Sequence, residues 1–158
     1  FFKMLDYKDL IPCCTGMIQR EVAQRIAAGP GSKTYGILSV LIQAWYNVEY
    51  LFTVDEDVFN PPPKVKSAVI RMTRNEVTNI GCDQILFKRV VKTVFNQRRK
   101  MLRVSLRQIF NVTKPTDGFY EQDIMTKRPE QLSIAQFVDL TNMVEEQLKI
   151  IGQKANIS

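Results

Sequence analysis

Three consecutive prolines, Pro61 to Pro63, sit in the run F-N-P-P-P-K-V-K-S from Phe59 to Ser67 and divide the chain. Each proline locks φ near about −65° and lacks a backbone N–H, so neither a helix nor a central strand crosses them. The segment is therefore stiff and polyproline-like, and it holds Phe59 at the mouth of whatever strand follows. That strand is Ala68-Val69-Ile70-Arg71-Met72, which alternates in character. A rigid aromatic with Lys64 and Lys66 alongside suits a flat, electron-rich ligand carried on phosphates, such as a nucleobase taken out of its stack. The same residues also read as a proline-rich connection whose Phe plugs a core.

Residues 1–10 read as the end of a helix closed by Pro12, and Cys14 to Glu21 as a buried strand. Glu21 beside Arg20 reads as a strand-end ion pair. Val22 to Ala28 predicts a short helical turn ending at Gly29-Pro30-Gly31, and Ser39 to Asn47 has helical character. Val48, Tyr50, Phe52 and Val54 alternate as a strand, with Lys66 to Thr73 as its antiparallel partner. Thr73 to Asp83 turns polar and contains Gly81, the pattern of a linker.

Beyond it, every pattern is helical. Gln84 to Phe95 and Gln97 to Phe110 predict two helices, with Asn96 ending the first and capping the second. Pro115 to Gly118 predicts a turn, and Phe119 to Met125 a short helix. Ser133 with Gln136 forms a capping box for a last helix, which sets Ile134, Phe137, Val138, Thr141, Val144 and Leu148 on one face. Ile150 to Ser158 is expected to fray. The fold class is α/β followed by all-α, with domains over 1–75 and 76–158.

Charge follows the same division. The 158 residues carry a net +6 with pI about 9.3, which permits a polyanionic partner. From Asp83 to Lys114 the cations are Lys88, Arg89, Lys92, Arg98, Arg99, Lys100, Arg103, Arg107 and Lys114, against Asp83 alone. On one helix Arg99, Arg103 and Arg107 form a ridge, with Leu102, Leu106, Ile109 and Phe110 as the apolar stripe. Such a ridge is either a solvated face or a set of phosphate contacts, and the missing acids favour phosphate. In the loop Gly29 to Gly36, Tyr35 either packs beneath the turn or joins Arg25 and Lys33 along the approach of a polyanionic ligand.

Several chemistries are excluded. The chain has no histidine, which rules out Ser-His and Cys-His nucleophiles and speaks against zinc. Cys13, Cys14 and Cys82 are odd in number and suit reduced, cytosolic thiols. No apolar run approaches the ~20 residues of a membrane span.

The Pro-rich run resembles the late motif of the S-adenosylmethionine-dependent adenine-N6,N6-dimethyltransferases of ribosomal RNA. Phe59, Pro61, Pro63, Val65 and Ser67 fall in register on their Phe-x-Pro-x-Pro-x-Val-x-Ser pattern. Gln19 to Val40 resembles the strand-helix stretch of these enzymes, and F-N-Q-R-R-K-M-L-R-V-S-L (Phe95 to Leu106) their helical C-terminal signature. The A-G-P-G-S-K and N-Q-R-R-K runs are similar to the small-subunit, ribosome-maturation branch. The sequence departs from the family at Ile37, where a basic residue often follows Tyr-Gly.

The resemblance implies the closing strands of a Rossmann-like methyltransferase sheet, ending in an antiparallel hairpin, then a small helical RNA-binding domain. It implies methyl transfer to two adjacent adenines near the 3′ end of small-subunit ribosomal RNA, in a 30S-type pre-ribosomal particle in the cytoplasm. The adenine amine is a poor nucleophile, so catalysis rests on orienting it. Phe59 and Pro61 would stack the target adenine. Arg98, Arg99, Lys100, Arg103, Arg107, Lys64, Lys66 and Lys33 would hold RNA. No catalytic, cofactor-binding or metal residue is expected in this stretch, because it has neither a Gly-x-Gly-x-x-Gly loop nor an Asn-x-Pro-Tyr tetrapeptide. The expectation is a carboxy-terminal portion of a longer enzyme, inactive alone, with the S-adenosylmethionine site mostly in the amino-terminal part. A non-catalytic RNA- or ribosome-binding module and a transcription-accessory nucleic-acid-binding protein remain the alternatives.

Overall fold

Period-2 patterning produces a three-stranded antiparallel sheet in the first part of the chain, and period-3.6 patterning produces helices in the second. The computed structural model describes residues 5, 7, 8, 10–58, 65–75, 80–110 and 114–157. It divides into two compact units, Phe1–Thr78 and Asn79–Ser158.

In the first unit the elements are β1 (Cys13–Gln19), α1 (Arg20–Ala27), α2 (Ile37–Gln43), β2 (Tyr46–Val54) and β3 (Ser67–Arg74). The strand order is β1-β3-β2, so β3 is central and pairs antiparallel on both sides. Its alternation explains why: Ala68, Ile70 and Met72 are buried, while Arg71 and Thr73 face out. α1 packs across the strands and against α2, enclosing Ala23, Ile26, Tyr35, Val40, Leu41, Ile42, Trp45 and Tyr46. Burying each large apolar side chain contributes about 1.5–3 kcal/mol. Tyr46 satisfies its hydroxyl by donating to the Ile11 carbonyl at 2.7 Å.

Local patterns misjudge several boundaries here. β1 is not fully buried; it alternates between exposed and half-buried, as an outer strand does, and stops at Gln19. Arg20 and Glu21 already belong to α1, where Glu21 pairs with Arg25 at 2.7 Å, one turn on, and not with Arg20. α2 ends at Gln43 because Tyr46 and Asn47 are drawn into β2 opposite Arg74 and Thr73. In β2 the register jumps between Tyr50 and Phe52, leaving Leu51 without an opposite residue. This bulge lets the Tyr50 and Thr53 hydroxyls meet at 2.6 Å and reverses the later alternation. Phe52 therefore stands opposite Val69 and 55% exposed, in one row with Met17.

The second unit opens with α3 (Gln84–Phe95), bounded as its periodicity predicts. Asp83 caps it, its carboxylate accepting from the Leu86 amide at 2.7 Å. The single helix predicted over Gln97–Phe110 does not form. Residues 96–100 are turns, Met101 is extended, and the helical parts are α4 (Leu102–Ser105) and α5 (Arg107–Phe110). Gln97 to Lys100 offers no apolar side chain to anchor a helix face, and Arg99, Arg103 and Arg107 repel at the spacing a helix would impose. Asn96 thus ends α3 but caps no successor. The apolar positions keep their role, for Leu102, Leu106, Ile109 and Phe110 are all buried.

Phe119 to Met125 resolves into two 3₁₀ turns, Phe119–Glu121 and Asp123–Thr126, followed by a third at Pro129–Gln131. Gly118 enters the first with φ of 87°, a left-handed conformation that glycine adopts freely. α6 (Ile134–Ile157) begins at the predicted capping box. Gln136 Oε1 accepts from the Ser133 amide at 2.9 Å, and Ser133 Oγ from the Gln136 amide at 3.2 Å. Phe137, Leu140, Thr141 and Val144 bury its inner face, with the Phe137 ring 5.7 Å from that of Phe95. The helix continues through Ile157.

Candidate nucleic-acid interface

The break between α3 and α4 decides what the cations do. Asn96 closes α3, and the chain reverses through a turn in which the Lys100 amide donates to the Gln97 carbonyl at 2.9 Å. Arg98 turns toward the protein: its Nε lies 3.4 Å from Glu130 Oε2, and its guanidinium 5.7 Å from the centre of the Phe95 ring. Arg99 and Lys100 are exposed beside it, as are Arg103 on α4 and Arg107 on α5. The predicted ridge of Arg99, Arg103 and Arg107 is therefore absent, since Arg99 lies in the turn and not on a common helix. Arg107 reaches back, its Nε donating to the Arg103 carbonyl at 3.1 Å.

Tertiary structure adds cations that periodicity does not mark. The Leu102 amide, at the start of α4, donates to the Lys127 carbonyl at 2.9 Å. That bond brings Thr126-Lys127-Arg128-Pro129 against the turn of Arg98 to Lys100. Arg128 is exposed and Lys127 half-buried. Glu130, on the following 3₁₀ turn, supplies the partner of Arg98. The only local signal was a Lys-Arg pair before a proline, 27 residues from the first cluster. The result is a set of exposed cations on linked turns, planar guanidinium and ammonium groups of the kind that grips phosphate oxygens.

In the first unit, Lys33 is exposed on the loop 29–36. This loop is pinned from below: Ser39 Oγ donates to the Arg25 carbonyl and accepts from the Gly36 amide, while Gln43 Nε2 donates to Ile26 and Ala28 carbonyls, both at 2.7 Å. Tyr35 is buried beneath it, and burial pushes its phenol up to about 12, so it lines no RNA approach. Lys66 is exposed with its Nζ 3.8 Å from Asp55, a pair that spans the base of the β2–β3 connection. Phe59, Pro61 and Lys64 lie outside the described residues.

Burial raises the Tyr35 and Tyr120 phenols and pushes the Cys82 thiol up to about 11, all away from neutrality. No group of three His, Cys, Asp or Glu side chains capable of holding a metal occurs among the described residues.

Comparison with solved structures gives the class first. The fold resembles that of a dimethyladenosine transferase from Plasmodium falciparum, with a TM-score of 0.78 at 22% identity, over 92% of this chain and 62% of that one. It also resembles the 23S rRNA methyltransferase ErmE, with a TM-score of 0.51 at 20% identity, over 85% of this chain and 55% of that one. The architecture is thus a mixed α/β one shared with methyltransferases.

The family follows from sequence. The profile of the ribosomal RNA adenine dimethylases matches residues 2–146, and the chain belongs to that family. Among curated relatives, the ribosomal RNA small subunit methyltransferase A of Phocaeicola vulgatus is 71% identical over 149 residues, 94% of this chain and 52% of that protein. The proteins of the same name from Bacteroides thetaiotaomicron and Porphyromonas gingivalis are 68% and 55% identical, over 99% and 92% of this chain and 57% and 55% of their own lengths. The chain spans about half the length of the curated relatives it matches.

Proposed function

We propose that this chain is the RNA-gripping portion of an enzyme that dimethylates N6 of two adjacent adenines near the 3′ end of small-subunit ribosomal RNA. The methyl donor is S-adenosylmethionine, the substrate particle is a 30S-type pre-ribosomal one, and the work is done in the cytoplasm during ribosome maturation. The observation that carries this reading is the 71% identity to proteins named as small-subunit ribosomal RNA methyltransferases. The basic patch of Arg99, Lys100, Arg128, Arg103 and Arg107 supports it, because phosphate contacts position a protein on RNA.

In this reading β1, β3 and β2 close a larger Rossmann-like sheet, and the unit from Asn79 onward is the helical RNA-binding domain. β1 passes into α1 at Gln19-Arg20 with no glycine between them, so that junction offers no glycine-rich turn to cradle a cofactor. The donor is then held by residues outside this chain, which binds RNA but transfers no methyl group alone. Phe59, kept in place by Pro61 to Pro63, stacks on the target adenine, worth about 1–3 kcal/mol. Lys33, Lys64 and Lys66 approach the same RNA.

Two measurements test this. The 158-residue chain binds an RNA oligonucleotide copying the 3′-terminal segment of small-subunit ribosomal RNA, with no methyl incorporation when S-adenosylmethionine is supplied. In the full-length enzyme, Phe59→Ala lowers turnover sharply and leaves cofactor affinity almost unchanged. Equal turnover in both proteins would refute the stacking role, and failure of the chain to bind the oligonucleotide would refute its part in gripping RNA.

A further inference from the structure

Exposed arginines usually sample many rotamers, and ordering one on a ligand costs about 2 kcal/mol of side-chain entropy. Arg107 is held differently. Its Nε is already committed to the Arg103 carbonyl at 3.1 Å, and its guanidinium carbon lies 5.5 Å from the centre of the Tyr120 ring. No ion pair engages it among the described residues, and its side chain is exposed. Both terminal nitrogens of the fork are left to an incoming acceptor.

Tyr120 is fixed in turn by its aromatic neighbours. Its ring stands edge-on to Phe119 at 5.2 Å and to Phe110 at 6.5 Å, and the buried Phe110 and Phe119 rings meet each other at 5.4 Å. Gly118, in its left-handed conformation, turns the chain so that Phe119 and Tyr120 follow directly. Burial raises the Tyr120 phenol while the Arg107 charge lowers it, as expected of a cation set against this residue. A cation over a tyrosine face is attracted by about 0.5–1 kcal/mol at an exposed site, enough to bias one arginine rotamer.

We propose that Tyr120 is a positioning residue, which with the Arg103 carbonyl presets the Arg107 guanidinium as a planar fork for a phosphodiester of bound RNA. The proposal rests on the nucleic-acid reading above and deepens it. It assigns Arg107 a bidentate grip and makes the Tyr120 ring, remote from the Arg98 to Lys100 turn in sequence, part of the affinity. A preset fork loses less freedom on binding, so its loss weakens affinity beyond the removal of a charge.

The test is a salt series of binding by the 158-residue chain to the 3′-terminal ribosomal RNA oligonucleotide. Arg107→Gln is expected to weaken binding about three- to tenfold and to lower the salt slope by about one. Tyr120→Leu should weaken it by a similar factor, Tyr120→Phe should match the parent chain, and Tyr120→Leu added to Arg107→Gln should cost nothing more. Arg107→Lys leaves the aromatic cluster untouched and so serves even if Tyr120→Leu unfolds. It should weaken binding about threefold with an unchanged salt slope, because the charge remains and the fork is lost. Normal binding by Arg107→Lys or by folded Tyr120→Leu, beside impaired Arg107→Gln, overturns the preset fork and leaves the RNA reading intact. Normal binding by Arg107→Gln also overturns it, and a parent chain that shows no salt-dependent binding overturns both.

Discussion

The Leu102 amide donates to the carbonyl of Lys127 at 2.9 Å, joining two polar turns that lie 25 residues apart in sequence. The bond satisfies one of the open amides at the start of α4, which no side chain caps. It also holds the Lys127-Arg128 segment at the start of α4, while Arg98 pairs with Glu130. Structure thus divides a run of three neighbouring cations into one internal tie and two outward groups.

This division separates stability from binding. Arg98→Ala loses the Glu130 pair and the contact with the Phe95 ring, and should destabilise the second unit by about 1 kcal/mol. The double substitution Arg99→Glu, Lys100→Glu should leave the melting temperature unchanged and flatten the salt dependence of RNA binding by about two. Melting curves beside binding isotherms decide it, and equal loss of stability in both proteins would refute the distinction.

At the start of α6, Ser133→Ala removes the hydroxyl that accepts from the Gln136 amide. A lost N-cap costs about 1 kcal/mol, and the melting temperature should fall by about 3 °C. Thermal unfolding at matched concentration measures this. No change would mean the reciprocal bonds are replaced by water without loss.

Thiol reactivity should rank by environment. Burial and the charges of Asp83 and Glu145 push the Cys82 thiol up to about 11, against an opposing hydrogen bond with Thr141. Cys13 is exposed on β1. Because the thiolate is the nucleophile, iodoacetamide at pH 7.5 should label Cys13 well before Cys82. Mass-resolved peptide labelling gives the order, and early labelling of Cys82 would contradict this placement.

Tyr35 gives the first unit an alkaline limit. Its folded-state pKa, about 12, lies above the ordinary 10.0, so folding favours the neutral phenol. The associated stability is fully present below pH 10 and is lost as pH rises from 10 toward 12. Urea unfolding across pH 8 to 12 should show this loss, and Tyr35→Phe should reduce the slope. Parallel pH profiles for the two proteins would remove burial of the phenol as its cause.

Legibility in the sequence followed how local each cause was. β3 was readable because Ala68, Ile70 and Met72 recur at every second position between less buried neighbours, and α3 and the Ser133 box because their signals lie within one helix. The bulge at Leu51 was not, since it is a shift in pairing between β2 and β3 that no local pattern in either strand marks. The helix expected over Gln97–Phe110 failed because periodicity registered the stripe of Leu102, Leu106, Ile109 and Phe110 but not the missing anchor before it. Lys127, Arg128 and Glu130 were invisible beside Arg98 because only a tertiary hydrogen bond and an ion pair bring them there.

The reversal at Leu51 leaves Met17, Val69 and Phe52 as an oily seam across the outside of the sheet, next to a β1 whose far edge pairs with no strand among the described residues. Such a seam beside an open row of amides and carbonyls templates clumping between copies. Self-association of the purified 158-residue chain through its sheet side is the expected outcome at high concentration, and Phe52→Lys should reduce it.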